Sequence, residues 1–174
     1  DANGNIRSMK QKGVKGTTVQ LIDDLTYHYF NSENSNRLLW VNDAANDELS
    51  TLGDFKENKF FGNTTQDYYY DNNGNLIKDK NKDISTAGFN PNAPAIEYTY
   101  LNHPSSIHIL NTTNTADKGH ITFTYDGLGN KLRKNIWDYT TTPSPTIKII
   151  DYIGSFNYTY EIGNGLNFIN TEEG

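Results

Sequence analysis

Aspartates set in turn-like runs are the residues whose type and spacing could do chemistry. In YYYDNNGNLIKDKNKD, residues 68–83, Asp71, Asn73 and Asn75 fall at alternate positions, as the oxygen ligands of a calcium loop do. Such a loop also wants glycine at its sixth position and a bidentate glutamate at its twelfth. Counted from Asp71, those positions hold Leu76 and Lys82, and the flanks alternate as strands do. In TYDGLGNKLRK, residues 124–134, Leu128 follows Asp126 where a second ligand belongs. The same letters suit a hairpin turn better. The carboxylate accepts hydrogen bonds from the backbone just ahead of it, and Gly74 or Gly129 takes the positive φ that reverses the chain. No metal ligand is assigned, and no cofactor is expected.

The other reactive side chains are dispersed. His28, His103, His108 and His120 include no pair with the spacing of a zinc-binding helix. His28 sits between Tyr27 and Tyr29, so it faces away from the side they share and is expected at the surface. A sugar hydrolase needs two carboxylates across the scissile bond. Asp23, Asp24, Glu97, Asp151, Glu161, Glu172 and Glu173 are available, but nothing in the sequence pairs them, and no catalytic residue is assigned. Trp40 and Trp137 could form a sugar-stacking platform on a wet sheet, which makes a carbohydrate-binding or adhesion module the alternative reading. Their strand contexts, after Leu38-Leu39 and beside Ile136, favour packing within a sheet.

The elements that must hold these residues come from a repeat. Clear copies are Asp1-Ala-Asn-Gly4-Asn5-Ile6, Tyr70-Asp71-Asn-Asn-Gly74-Asn75-Leu76 and Tyr125-Asp126-Gly-Leu-Gly129-Asn130-Lys131. Degenerate copies keep Tyr-x-Tyr and lose the Asp-Gly turn, at Tyr27/Tyr29, Tyr98/Tyr100 and Tyr158/Tyr160. The final tyrosines align as 29, 70, 100, 125 and 160, giving one hairpin per copy, about six over residues 1–174, with variable loops such as 88–94 and 140–146. Eleven strands are predicted: 25–30, 37–42, 67–70, 76–79, 95–101, 106–110, 121–125, 131–139, 146–153, 155–161 and 166–169. Helical spacing is confined to 43–55, with a weaker hint at 17–24. Gly154 is expected to bend the sheet or form a bulge, and Ile162-Gly163-Asn164-Gly165 to form a turn where earlier copies carry Asp-x-x-Gly-Asn.

Tyr-Asp-x-x-Gly-Asn followed by a leucine or a basic residue resembles the YD repeat of Rhs proteins, toxin-complex C subunits and teneurins. The run TYDGLGNKLRK, with DYIGSFNYTYEIGNGLNFINTEEG after it, resembles the stretch before the Rhs-associated core in Bacteroidetes-type members. The resemblance implies an all-β fold of repeated antiparallel hairpins forming part of a spiralling β-shell. It further implies a fragment of a longer polypeptide that is secreted or displayed on the bacterial surface. Its partners would be the rest of its own chain, including a C-terminal toxin-like domain, and possible contacts are an outer-membrane secretion machinery or another strand edge. The family's aspartate-based self-cleavage lies in the core-associated segment, so no catalytic residue is carried over and a non-enzymatic role is expected.

Composition agrees with a wall more than a ball. Only 34% of residues are hydrophobic, and 12 tyrosines outnumber 8 phenylalanines, so one modestly apolar face and one wet face are expected. Net charge is −6, and the 15 basic residues form no stripe, which disfavours nucleic acid. Lys78, Lys80 and Lys82 interleave with Asp79 and Asp83 and read as a solvated strand end. There is no cysteine, so no disulfide frame or thiolate site can form, and no apolar window is long enough for a membrane span.

Overall fold

Alternating tyrosines, isoleucines and threonines favour the pleated, half-buried surface of a sheet. The computed structural model describes residues 1–32, 34–45, 52–57, 66–87, 90, 92–111, 115–141, 145–162 and 165–171. The strands are β1 (Ser8–Lys15), β2 (Thr18–Tyr29), β3 (Leu38–Asp43), β4 (Tyr68–Tyr70), β5 (Leu76–Asp79) and β6 (Ile96–Tyr98). They continue as β7 (Pro104–Leu110), β8 (Asp117–Tyr125), β9 (Lys131–Asp138), β10 (Thr146–Ile153), β11 (Phe156–Glu161) and β12 (Gly165–Thr171). Among the described residues the only helical piece is a single 3-10 turn at Lys80–Lys82, so the fold is all-β and antiparallel.

The chain divides into two compact units, Asp1–Lys82 and Asp83–Gly174. The first holds the sheet β1-β2-β3 and the pair β4-β5; the second is a seven-stranded meander from β6 to β12. Strand direction therefore alternates along the meander. The turns after β6, β8 and β10 share one end of the sheet, and the connections after β7, β9 and β11 share the other.

One register recurs. Tyr29 pairs with Leu38, Tyr70 with Leu76, Tyr98 with Pro104 and Tyr125 with Lys131. Beside each pair the returning strand carries one extra residue, Leu39, Ile77, Ser105 or Leu132, as a bulge. This corrects the alignment of the third copy. Tyr98, not Tyr100, closes its strand, and Tyr100 projects from the turn at 85% exposure. Gly154 is no corner either. Ile153 faces Phe156 in register, so Gly154 (φ +59°) and Ser155 form a two-residue hairpin loop. That loop lies at the end of the meander where the Asp126 turn lies, whereas the Tyr160–Leu166 reversal belongs to the opposite end. Residues 163 and 164 of that reversal fall outside the described set.

Sequence reasoning missed β1, SMKQKGVK, whose lysines and glutamine give no apolar alternation. Pairing with β2 from Ser8–Thr26 to Lys15–Thr18 makes it a strand. The helical hint at 17–24 lies inside β2. In the 43–55 candidate Asp43 ends β3, and residues 46–51 lie outside the described residues.

Among the described residues the buried apolar side chains are Ile22, Leu25, Tyr29 and Val41 in the first unit and Ala95, Ile96 and Leu110 in the second. Of the buried aspartates in the first unit, Asp23, Asp43 and Asp67 meet backbone donors, and Asp54 pairs with Lys56. Asp23 Oδ1 accepts the Phe55 N–H at 2.8 Å, and Asp43 Oδ1 accepts those of Asp24 and Ala45 at 2.9 Å each. A polar group taken from water is tolerated when it is bonded in this way.

Two glycines test the turn geometry. Gly74 and Gly129 share φ +87°, but a Cβ on Gly74 would meet nothing within 4 Å, whereas one on Gly129 would lie 2.5 Å from His103 Cε1. Gly74→Ala is expected to destabilise by about 1–2 kcal/mol through backbone strain alone. Gly129→Ala is expected to cost clearly more, because His103 must also move. Urea unfolding of both variants measures the difference, and equal losses would contradict the close approach.

Candidate functional site

The repeated turn is built around one carboxylate. Asp71 Oδ1 accepts the N–H of Asn73 at 2.9 Å and of Asn75 at 2.8 Å, while Oδ2 accepts the Asn75 side-chain amide at 3.0 Å. Asp126 repeats the set with Leu128 N–H at 2.9 Å, Asn130 N–H at 2.8 Å and the Asn130 amide at 2.8 Å. Asp1 does the same with Asn3 N–H at 3.0 Å, Asn5 N–H at 2.8 Å and the Asn5 amide at 3.1 Å. In each turn the glycine (Gly4, Gly74 or Gly129) donates its N–H to the aspartate carbonyl at 3.1 Å. Each aspartate nitrogen in turn donates to the asparagine carbonyl, at 3.1, 2.9 and 3.0 Å for Asp1, Asp71 and Asp126. The letters Asp, Gly and Asn thus each have a place in one closed ring.

The third copy keeps this ring with other chemistry. Thr99 Oγ1 accepts the N–H of Leu101 at 3.3 Å and of His103 at 3.2 Å, and Asn102 (φ +58°) stands where the glycine stood. Asn102 N–H reaches the Thr99 carbonyl at 2.9 Å, and Thr99 N–H reaches His103 O at 2.8 Å. A hydroxyl replaces the carboxylate, and asparagine tolerates the left-handed backbone. Sequence reasoning passed over Thr99, Asn102 and His103; the signal was a threonine three residues before an asparagine, just after Tyr98.

The tyrosines link one copy to the copy before it. The hydroxyl of Tyr29 donates to the carbonyl of Ile6 at 2.8 Å, that of Tyr70 to Leu38 at 3.0 Å, and that of Tyr125 to Pro104 at 2.8 Å. Leu38 and Pro104 open the returning strand of the preceding hairpin, and Ile6 is the matching residue after the Asp1 turn. A buried phenol needs a partner for its hydroxyl, and the register supplies the same carbonyl to these three, whereas the Tyr160 hydroxyl donates to Asp151.

The remaining candidates resolve into packing. Trp40 stacks on His28, its register partner, with ring centroids 3.7 Å apart, so His28 is half-buried against the indole and not at the surface. Trp137 stacks on His120 at 4.1 Å. His103 lies 5.1 Å from the Tyr125 ring. The candidate carboxylates have other partners: Asp23 accepts the Phe55 N–H, Asp24 pairs with Lys10, Glu97 accepts the Ser106 hydroxyl, and Asp151 joins Arg133 and Tyr160, while Glu172 and Glu173 lie outside the described residues. Among the described residues no three His, Asp or Glu side chains converge as a metal cluster would. Nor is any helix of the described residues long and apolar enough to cross a membrane.

The lysine run departs from its expected place. Lys78 and Lys80 are buried and both approach the Tyr69 ring, at 5.9 and 5.3 Å, and Lys80 donates to the Gln66 carbonyl at 2.8 Å. Burial lowers both ammonium pKa values, with Lys80 also pushing Lys78 down. The expected solvated end is instead buried at Lys78, on β5, and at Lys80, in the 3-10 turn, and of the three lysines only Lys82 is exposed.

No family model, characterised protein or solved structure matches the chain.

Acid should open the turns selectively. Desolvation lifts the Asp71 carboxyl, but the hydrogen bonds from Asn75, Asn73 and Gly74 outweigh it and hold it below its usual 3.8. The Asn130 side-chain and backbone bonds lower Asp126 against the same 3.8. Because folded values lie below unfolded ones, the stabilisation is complete above the ordinary carboxylate pKa and is lost as pH falls through the folded values. Carboxyl NMR titration is expected to place both midpoints below 3.8, with the Asn75 and Asn130 amides losing exchange protection in the same range. Separately, Tyr125→Phe is expected to destabilise by about 1 kcal/mol, the worth of one net hydrogen bond, as read by denaturant unfolding.

Proposed function

We propose that this chain is a non-enzymatic wall segment of an Rhs-like β-shell, secreted or displayed at the cell surface. Its enclosed face confines or guides a toxin-like polypeptide carried C-terminal in the same protein. The observation that carries the reading is the tyrosine-to-carbonyl link, made to the same position of the preceding hairpin at Tyr29, Tyr70 and Tyr125. A link of this kind is open-ended: each hairpin offers the next an acceptor, and stability grows by nearest-neighbour terms as in repeat proteins. Among the described residues the modest set of buried apolar side chains also favours a wall, which needs one modest inner surface and no deep core. Strand edges that end such a run offer pairing groups to the rest of the polypeptide or to export machinery.

Both stacked indoles have one face occupied by an imidazole, which supports packing over a sugar platform. In the parent polypeptide, limited proteolysis is expected to spare the region C-terminal to this segment while the same region expressed alone is cut. Equal cutting of the two overturns the wall reading. A glycan titration followed by tryptophan fluorescence is expected to be flat. Saturable quenching that Trp137→Ala removes would favour the carbohydrate-binding alternative.

A further inference from the structure

We propose that His108 on β7 and His120 on β8 form a two-imidazole chelate for a divalent transition-metal ion of the zinc class, clamping neighbouring hairpins of the second unit. The two residues are direct register partners, with rings 5.5 Å apart and inclined by 19°. His108 donates its N–H to the Ala95 carbonyl at 2.8 Å, so its backbone polar groups face away from β8. The pair is therefore of the non-hydrogen-bonded kind, in which facing side chains stand closest.

His120 has its Nδ1 hydrogen-bonded, and His108 has a carboxylate near its own. His120 Nδ1 is 2.8 Å from the Tyr139 hydroxyl, and His108 Nδ1 is 3.9 Å from Asp117 Oδ2. In the site proposed, the His120 Nδ1–H donates to the Tyr139 oxygen and Nε2 is the ligand atom, the usual outer-shell arrangement of metal-bound histidine. His120 is further held by Trp137 stacked on it at 4.1 Å, inclined by 12°. The His108 side chain, 39% exposed, is the one that turns to bring both Nε2 atoms to about 2.0–2.1 Å from one ion. Water completes the shell.

The chemistry is metal coordination without bond making, and it tightens the sheet by tying the β6–β7 hairpin to the β8–β9 hairpin. Titration of the 174-residue chain with zinc chloride tests it by calorimetry and by histidine NMR. Expected are one equivalent bound, shifts confined to His108 and His120, and a thermal midpoint that rises with zinc. His108→Asn and His120→Asn should each weaken uptake by at least roughly tenfold, and Tyr139→Phe by about tenfold through the lost Nδ1 partner. His28→Asn and His103→Asn should leave uptake unchanged. Should His120→Asn fail to fold, the exposed His108→Asn variant still decides the matter. Absence of saturable uptake, or uptake that persists in His108→Asn, refutes the site.

Discussion

The hydroxyl of Tyr125 meets the carbonyl of Pro104, and Tyr70 and Tyr29 meet Leu38 and Ile6 in the same way. Each of these bonds joins a strand that ends in a turn to the strand that began after the previous turn. A single such bond contributes only about 1 kcal/mol net. Its weight lies in where it acts: an isolated hairpin is marginal in water, and neighbours must be held in one register before they bury anything. Register fixes the carbonyl, and the carbonyl in turn satisfies a phenol that would otherwise be half-buried without a partner.

The aspartate ring works at the other level, inside one hairpin. By taking two backbone N–H groups and a side-chain amide, the carboxylate sets the turn length and so decides which carbonyl the next tyrosine will find. Sequence, turn and inter-hairpin bond form one chain of cause. The buried Lys78 on β5 and Lys80 in the 3-10 turn that follows, both beside Tyr69, show that cationic side chains can lie inward where an aromatic ring receives them.

Much of this was legible because it is written in local rules. Tyr-Asp-x-x-Gly-Asn names its own turn, and β5 and β10 fall where their alternation placed them. What escaped notice was chemistry by substitution and by context. Thr99 and Asn102 perform the tasks of Asp and Gly with different atoms, so Tyr100 seemed to end a strand that Tyr98 ends. β1 takes its form from pairing with β2, which its own lysines do not announce. Gly154 gave a correct sense of irregularity but not its kind, since a two-residue loop and a bulge draw on the same residue.

The extra residues Leu39, Ile77, Ser105 and Leu132 recur at the same step of four hairpins. A bulge of this sort steepens the right-handed twist of the ribbon that carries it. Amyloid requires the opposite, flat strands that stack identical copies in line. A chain with 12 tyrosines would otherwise be a good candidate for fibril growth. Regular interruption of its own pleat, with Lys10, Lys12 and Lys15 along β1, makes that route to self-association geometrically poor.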